Sequence, residues 1–287
     1  MNGTVVAAFG RQYEIELDEG ARALCYPRGK KSHVACGDRV GVALTTPDHG
    51  VITAVAPRRS LLYRSDGRRQ KLFAANVTQL IIVVAAEPSF SDELVTRGTV
   101  AAEHERLRIA IVLNKADLGD RIEAARGRLD PFRALGYPIV ELSARRDAQP
   151  LHPYLEGQTS VLVGQSGMGK STLVNALLPG ARAAVREISE ALDAGKHTTT
   201  HTRLYRLDGA SSLIDSPGLQ SFGLAHLARA EIERGFREFL PYLGRCRFRD
   251  CRHEREPDCA VRAAVAAGHI SPRRLAHFHA LTAAPRQ

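Results

Sequence analysis

The sequence lacks any continuous apolar run of the roughly 18 residues that a membrane span requires. Its start, MNGTVVAAFGRQYEIELDEG, contains no basic region followed by an apolar stretch. We therefore expect no membrane span and no signal peptide, and we predict a cytoplasmic monomer. Internal repeats and low-complexity tracts are also absent, and 44% hydrophobic with 25% charged residues are ordinary globular values. A length of 287 residues suits two or three domains.

Cysteine is scarce and unevenly distributed. Three of the five cysteines fall within CRFRDCRHEREPDC, where one histidine joins them in the spacing C-x4-C-x-H-x5-C. Without an export signal, this clustering favours reduced thiols and a metal over disulfides. Three thiolates and one imidazole would make a closed, structural zinc site, and free thiols are the alternative. The predicted zinc ligands are Cys246, Cys251, His253 and Cys259.

The charge balance is basic, with a formal charge of +9 and a pI near 9.6. Such an excess favours a polyanionic partner, although a soluble protein from a proteome of high isoelectric point explains it equally well. Arginine is concentrated at 57–71 and 229–274, which tilts the balance towards nucleic acid. Five arginines alternate with the predicted zinc ligands and suit phosphate backbones, or else form solvated surface. They are Arg245, Arg247, Arg249, Arg252 and Arg255.

The order of predicted elements divides the chain into three domains. Short strands separated by Gly, Asp and Pro turns fill residues 1–70, which predicts a small barrel, with the oligonucleotide-binding (OB) type as one candidate and a plain β-cap as the alternative. Residues 71–223 alternate continuous apolar strands with helical segments, as in a parallel α/β sheet. Residues 224–287 are helical around the cysteine cluster. Cys25 and Cys36 fit barrel core or an incidental pair better than a second metal site.

The segment GQSGMGKST matches the phosphate-binding pattern G-x-x-x-x-G-K-[ST]. Its glycines let successive backbone N–H groups point at phosphate oxygens, at a helix N-terminus whose dipole favours anions. Lys170 is expected to neutralise the β- and γ-phosphates, and the Ser171 hydroxyl to ligate Mg²⁺. An apolar strand precedes the loop and a helical pattern follows it, as the chemistry requires. The loop comprises Gly164, Gln165, Ser166, Gly167, Met168, Gly169, Lys170, Ser171 and Thr172.

A second motif, LNKADL, has the residues that read the base in guanine-nucleotide sites. Asp117 can accept from the ring N–H and the exocyclic amine of guanine, whereas adenine would leave this carboxylate unpaired at a cost of roughly 1–3 kcal/mol or more. Asn114 is expected to support the loop and the purine edge, and the Lys115 stem to lie along the base plane. The segment LSAR lies at the end of another predicted strand and contributes Ser143 and Ala144 to the predicted guanine site. The Ala144 N–H could contact the guanine carbonyl oxygen.

Two further segments complete a nucleotide site. IDSPGL fits D-x-x-G, so Asp215 is expected to hold a Mg²⁺ water and the Gly218 N–H to sense the γ-phosphate. The polar loop GKHTTTHT could supply a threonine ligand to Mg²⁺, for which Thr199 is the first choice and Thr198 and Thr200 are alternatives. The base-reading motif thus precedes the phosphate loop, the switch loop and D-x-x-G. Because the usual succession places the base-reading motif after the phosphate loop, we predict a circularly permuted domain.

One departure concerns catalysis. Ras-like enzymes place a water-positioning Gln directly after D-x-x-G, but this chain has Leu219, and Gln220 lies one position too late. Leucine cannot hydrogen-bond water, so intrinsic hydrolysis should be slow or depend on another group. His197 in the switch loop is a candidate, although a structural role is equally open. A partner-stimulated GTPase is the economical interpretation.

In combination these motifs resemble the ribosome small-subunit-dependent GTPases, the RsgA family, over nearly the full length. The residues that carry the resemblance are GDRV, LNKADL, GQSGMGKSTLVNALL, KHTTTHTRLY, IDSPGL and CRFRDCRHEREPDC. The resemblance implies a multidomain α/β protein with an N-terminal OB-type barrel, a central circularly permuted P-loop GTPase and a C-terminal helical zinc-binding domain. It also implies GTP/GDP and Mg²⁺ binding, one structural Zn²⁺, and hydrolysis stimulated by the 30S subunit and its 16S rRNA late in assembly.

Two other functions fit part of the sequence. A nucleic-acid-binding module with a passive nucleotide fold would explain Leu219, but the intact Lys170, Ser171 and Asp215 argue against it. A P-loop ATPase acting on DNA would explain the phosphate loop and the basic charge, but Asp117 argues for guanine.

Overall fold

The computed structural model describes residues 1–29, 33–65, 70–178, 202–216, 224 and 226–283. Residues 195–201 of the predicted switch loop, with His197 and Thr199, and the Gly218–Gln220 segment lie outside this part of the chain. Among the described residues, none of the helices combines the length and apolar character needed to cross a bilayer.

The first five strands form the predicted barrel. In the order β1-β2-β3-β5-β4 each strand pairs with the next, and β1 also pairs with β4, which closes the ring in the OB topology. Alternation of apolar and polar residues drives this closure, as in β2, where Tyr13, Ile15 and Leu17 point inwards. Cys25 lies in this core, as expected. The strands are β1 Asn2–Phe9, β2 Gln12–Leu17, β3 Arg22–Pro27, β4 Arg39–Thr46 and β5 His49–Val55.

A β-hairpin, formed by β6 (Leu61–Ser65) and β7 (Gln70–Ala75), joins the barrel to the central domain. Asn76 ties the hairpin to the barrel, since its amide donates to the Gly37 carbonyl at 2.9 Å and its oxygen accepts from the Arg59 N–H at 3.0 Å. Gly37 has φ +91°, and a Cβ there would lie 2.2 Å from the Ala75 carbonyl oxygen, so this close approach requires glycine.

The central domain is a sheet in the order β10-β9-β8-β11-β13-β12, parallel except for β12. All seven residues of β8 are buried, as expected of a strand covered on both faces. The strands are β8 Gln79–Ala85, β9 Arg108–Asn114, β10 Ile139–Glu141, β11 Thr159–Val163, β12 Thr202–Arg206 and β13 Ser212–Asp215. The helices are α1 Asp92–His104, α2 Arg121–Ala134, α3 His152–Leu155 and α4 Lys170–Leu177.

The barrel and the central sheet share a continuous ladder of hydrogen bonds. Strand β12 pairs with β1 in antiparallel register, with Ala8 opposite Thr202. Arg203 reaches across this junction to the Glu14 carboxylate at 2.8 Å, and both side chains are largely buried. Arg206 pairs with Glu16 at 2.9 Å. The strands of the barrel and of the central domain, which the sequence predicts as two separate domains, therefore belong to one eleven-stranded sheet.

The C-terminal region packs short helices around three buried phenylalanines, Phe236, Phe239 and Phe278. Its elements are α5 Arg229–Arg234, a 3-10 helix Arg237–Tyr242, α6 Ala260–Ala266 and α7 Pro272–Ala283. Buried Arg274 joins this region to the central domain, because it donates to Thr96 of α1 at 2.8 Å as well as to Glu238 at 2.5 Å. A buried guanidinium with two partners in different elements fixes how they dock.

Candidate functional site

The candidate nucleotide site lies where the direction of strand succession reverses. From β8 the chain proceeds outwards to β9 and β10, whereas from the neighbouring β11 it proceeds the other way, first to β12 and then back to β13, which lies between β11 and β12. In open α/β sheets the crevice at the carboxyl ends of strands around such a point binds ligands. The loops after β8, β9, β10 and β11 all meet there.

A single cavity of about 450 Å³ brings the two motif groups together. Asp117, which we predict to read the base, and Ser171 of the phosphate loop both line it, although they are 54 positions apart in the chain. The lining consists of Glu87, Asn114, Lys115, Asp117, Leu118, Ser143, Ala144, Arg145, Gly167, Gly169, Ser171 and Thr172. The motifs therefore form one pocket despite their inverted order.

Asn114 holds three loops of this pocket together. Its side chain is 2% exposed, and its amide nitrogen donates to the Met168 carbonyl of the phosphate loop at 2.9 Å. Its oxygen accepts from the Lys115 N–H at 2.8 Å and from the Ala144 N–H at 2.9 Å. One amide thus uses both of its polar atoms to join the base-reading loop, the loop after β10 and the phosphate loop. The Ala144 N–H, expected at the guanine carbonyl, is directed to Asn114 in this structure.

Asp117 is exposed to the cavity and is held as a carboxylate. A hydrogen bond from the Ser143 hydroxyl is the main reason why the pKa of Asp117 lies below its usual range, and Arg146 and Arg145 contribute by charge. An ionised carboxylate accepts on both oxygens, as guanine recognition requires. Ser143 is therefore a close neighbour of the group that we predict to read the base.

Lys115 has a left-handed backbone, with φ +61°, and its ammonium group donates to the Glu87 carbonyl at 2.6 Å. This contact draws the lysine stem from the base-reading loop towards the loop after β8. The Glu87 side chain is in turn held by Arg121 at 2.7 Å. Glu87 lines the cavity, and no spacing in the sequence predicts it.

The phosphate loop needs its glycines. Gly169 has φ +87°, and a Cβ there would lie 2.3 Å from the Asn114 amide nitrogen. At Gly164 a Cβ would lie 2.2 Å from the Val83 carbonyl oxygen of β8. Both contacts are too short for any other residue, so the loop can follow its path around phosphate only with glycine.

Lys170 begins α4, and its ammonium group turns back over the loop. It donates to the carbonyls of Gly164 at 2.5 Å and Gln165 at 2.8 Å. Burial lowers the pKa of Lys170, and the charge of Asp215 at the end of β13 opposes that effect. Burial likewise raises the pKa of Asp215, opposed by Lys170. The cation and the carboxylate lie close enough to influence each other, as their predicted roles at γ-phosphate and Mg²⁺ require.

A second group of ligating atoms lies in the C-terminal region, where the sequence predicts it. The ligand atoms of Cys246, Cys251, His253 and Cys259 all lie within 4.8 Å of one another. The His253 Nδ1 is 3.7, 3.5 and 3.2 Å from the three sulfurs in that order. A tetrahedral ion with metal–sulfur bonds of about 2.3 Å and a metal–nitrogen bond of about 2.0 Å needs nitrogen–sulfur separations of about 3.5 Å, and the three measured separations lie within about 0.3 Å of this value, so the four residues suit one.

The remaining nitrogen of His253 is fixed by Glu233 on α5. The distance from Nε2 to the carboxylate is 2.6 Å, so Nε2 donates and Nδ1 is left free to ligate a metal. Burial raises the pKa of Cys251, and the thiols of Cys259 and Cys246 add to the effect. A metal ion at this point would favour the thiolate form of Cys251, which is the form that ligates a metal. The sequence does not predict this role of Glu233, because Glu233 lies twenty positions before His253 and this spacing belongs to no known metal-binding motif.

A family model described as RsgA GTPase matches residues 55–225, which is more than half of the chain. The chain belongs to the RsgA family of GTPases. The small ribosomal subunit biogenesis GTPase RsgA of Nitrosospira multiformis is 52% identical over 99% of this chain and 90% of its own length. Its namesake from Bordetella pertussis is 54% identical over 96% of this chain and 93% of its own length.

Solved structures share the whole architecture with this RsgA-family chain. YjeQ from Thermotoga maritima superposes with a TM-score of 0.76 at 31% identity, covering 98% of this chain and 97% of its own. YloQ, described as a circularly permuted GTPase, gives a TM-score of 0.72 at 25% identity, covering 98% and 93%. The predictions of a permuted GTPase with an N-terminal barrel and a C-terminal Cys/His metal site are thereby confirmed.

Three predicted site residues of this RsgA-family GTPase fall outside the described part of the chain. They are His197, Thr199 and Gly218, together with the alternatives Thr198 and Thr200. Of the phosphate loop, Gln165 and Ser166 are not among the residues that line the cavity, and the Gln165 side chain accepts from the Ser91 N–H at 2.7 Å. Met168 is buried beneath the loop, so it contributes its backbone rather than its side chain.

Proposed function

We infer that this chain hydrolyses GTP in the late maturation of the small ribosomal subunit, and that GTP controls its binding to and release from the particle. The observation that carries the nucleotide part is the single cavity shared by Asp117 and Ser171. The ribosomal part is supported by the full-length similarity to relatives named as small ribosomal subunit biogenesis GTPases.

Guanine enters at the Asp117 end of the cavity. There the carboxylate, a close neighbour of Ser143, accepts from the ring N–H and the exocyclic amine. The phosphates extend towards Gly169 and Lys170, where backbone N–H groups at the start of α4 and the ammonium group neutralise charge. Lys170 then exchanges its contacts with the loop carbonyls for phosphate oxygens.

We propose that the protein binds two metal ions, Mg²⁺ with the nucleotide and Zn²⁺ in the C-terminal region. The Ser171 hydroxyl and the Asp215 carboxylate are hard oxygen donors that suit Mg²⁺, with Asp215 acting through a water. Thr199 is the third proposed Mg²⁺ ligand. Zn²⁺ is the ion that best suits three sulfurs and one imidazole in closed tetrahedral geometry, and it would staple the C-terminal loop without taking part in hydrolysis.

The barrel is placed to respond to the nucleotide. Strand β12 starts at Thr202, the last residue of the predicted switch loop, and Thr202 is paired with Ala8 of the barrel. The Thr202 hydroxyl also lies 3.1 Å from the Ser216 hydroxyl, which directly follows Asp215. A change in either loop therefore reaches the barrel strand through covalent and hydrogen-bonded neighbours. We propose that GTP orders the switch loop and the segment after Asp215. The barrel and the zinc region then bind rRNA, and hydrolysis of GTP weakens this binding.

The decisive experiment measures phosphate release from GTP with and without purified 30S subunits. We expect stimulation by about two orders of magnitude or more, because Leu219 cannot position the attacking water as the glutamine of Ras-like enzymes does. A rate unaffected by 30S subunits would refute the ribosomal role while leaving a basal GTPase intact.

Competition by ATP tests the nucleotide itself. Equal displacement of labelled GDP by ATP and GTP would support the ATPase alternative and contradict the role of Asp117. Complete absence of turnover, with and without 30S subunits, would support the passive module.

A further inference from the structure

The C-terminal loop carries an aromatic side chain that the metal site and the nucleotide site leave unused. Phe248 is 42% exposed, whereas Phe236, Phe239 and Phe278 of the same region are fully buried. One exposed apolar residue does not by itself make a binding site. At Phe248, however, the backbone is held by hydrogen bonds and arginine side chains surround the exposed ring.

The backbone on both sides of Phe248 is fixed. The Phe248 carbonyl accepts from the N–H of Cys251 at 3.3 Å, and the N–H of Arg247 donates to the Asp258 carbonyl at 3.2 Å. Cys246 and Cys251, which enclose the segment, belong to the group of four side chains that could hold a metal ion. The backbone that carries the ring is therefore already ordered, so less entropy is lost when the ring binds a partner.

The surroundings of the ring are cationic. Residues 245–258 contain five arginines against four carboxylates, Asp250, Glu254, Glu256 and Asp258, and Asp258 pairs with Arg247 at 3.3 Å. The Arg247 guanidinium carbon lies 5.6 Å from the centre of the Phe248 ring. Any surface that meets the ring also meets these cations, so charge complementarity favours a polyanion over an apolar protein pocket.

We propose that Phe248 stacks on an unpaired RNA base while the neighbouring arginines bind the adjoining phosphates. This inference rests on the proposed role in binding rRNA and assigns one residue and one kind of RNA to it. Bases in a duplex are already stacked and cannot cover an aromatic ring, so the partner is a single-stranded or bulged segment. Stacking on aromatic side chains depends little on sequence, which suits a loop without base-reading amides at its tip.

The absence of tryptophan from the chain provides a direct readout. In the full-length zinc-loaded protein, Phe248→Trp keeps an aromatic face and introduces the sole indole. The matched control is Leu240→Trp, at a 50% exposed position of the same region. The probes are a single-stranded RNA of about 12 nucleotides and its duplex. We expect the single strand to quench the emission of Phe248→Trp and leave that of Leu240→Trp unchanged, and the duplex to quench neither.

Affinity measurements separate stacking from simple apolar contact. Phe248→Ala and Phe248→Leu should both bind the single strand about tenfold more weakly, while Phe248→Trp keeps the wild-type affinity. The zinc content of each variant is measured as a control, and one zinc ion per chain shows that the metal site is intact. Wild-type affinity in Phe248→Leu would overturn the inference, because leucine keeps the apolar surface without the π-face. So would unquenched emission of Phe248→Trp at saturating RNA, or equal affinity of the wild type for single strand and duplex.

A second measurement keeps this inference apart from the proposed function. Stimulation of wild-type GTP hydrolysis by 30S subunits tests the function without reference to Phe248. Normal stimulation combined with normal RNA binding by Phe248→Leu would refute the stacking alone. If Phe248→Ala weakens binding to 30S subunits but not to protein-free 16S rRNA, the ring contacts a ribosomal protein and the inference is also wrong.

Discussion

Removal of the Asn114 side chain should disconnect the nucleotide pocket with little effect on the rest of the protein. Asn114→Ala deletes three hydrogen bonds, to Met168, Lys115 and Ala144, at a net cost of about 1 kcal/mol each. The unligated variant can relax by letting the three loops separate, and GDP must then reassemble them. If the whole loss of about 3 kcal/mol falls on binding, GDP affinity decreases about 100-fold.

The assay is titration of a fluorescent GDP analogue at fixed Mg²⁺ and salt, alongside thermal unfolding. Asn76→Ala is the matched control, because Asn76 also joins two segments by both ends of its amide but lies at the barrel junction. It should lower the free energy of unfolding by a comparable amount, with added backbone strain at φ +56°, and leave GDP affinity unchanged. A loss of less than about fivefold in Asn114→Ala, or an equal loss in Asn76→Ala, would contradict the reasoning.

Three further predictions concern single side chains. Lys170→Ala or Ser171→Ala should abolish turnover of GTP, since each removes a group at the phosphates and Mg²⁺; normal phosphate release in either would exclude the phosphate-loop assignment. Asp117→Asn should shift preference from GTP to XTP, whose additional carbonyl accepts from the amide, and unchanged GTP affinity would count against base reading. Glu233→Ala should weaken zinc binding about 10- to 100-fold in competition with a chromophoric chelator, because the orientation of His253 is lost, while Glu233→Gln, which still accepts from Nε2, should lose less. Equal affinity in wild type and Glu233→Ala would mean that the carboxylate does not position the imidazole.

The sequence predicts those parts of the molecule that a fixed local geometry forces. Gly164 and Gly169 are required because a Cβ would lie 2.2 Å from the Val83 carbonyl oxygen and 2.3 Å from the Asn114 amide nitrogen, respectively, so the phosphate loop shows glycines at a fixed spacing. The metal site can be predicted from the sequence for the same reason, because its four ligating residues lie close together in one loop. The alternating strands of the barrel and the continuous apolar run of β8 likewise follow from periodicity.

Contacts between distant segments carry no such signal. Glu233, which orients His253, and Glu87, which holds Lys115, depend on how elements pack after they form. The pairing of β1 with β12 joins residues nearly two hundred positions apart, and the sequence alone shows two separate domains there. Such long-range pairings depend on the complete fold, which the period of a single strand does not encode.

The strand pairing between barrel and central sheet also limits how the protein can be divided. A central fragment cut away from residues 1–55 would expose the outer side of β12 as a row of unpaired backbone groups. It would also leave the Arg203 side chain without the Glu14 carboxylate that it meets at 2.8 Å. Open strand borders of this kind recruit other chains into intermolecular sheets. The GTPase domain should therefore self-associate when produced alone, and structural or kinetic work on it requires the barrel as part of the same polypeptide.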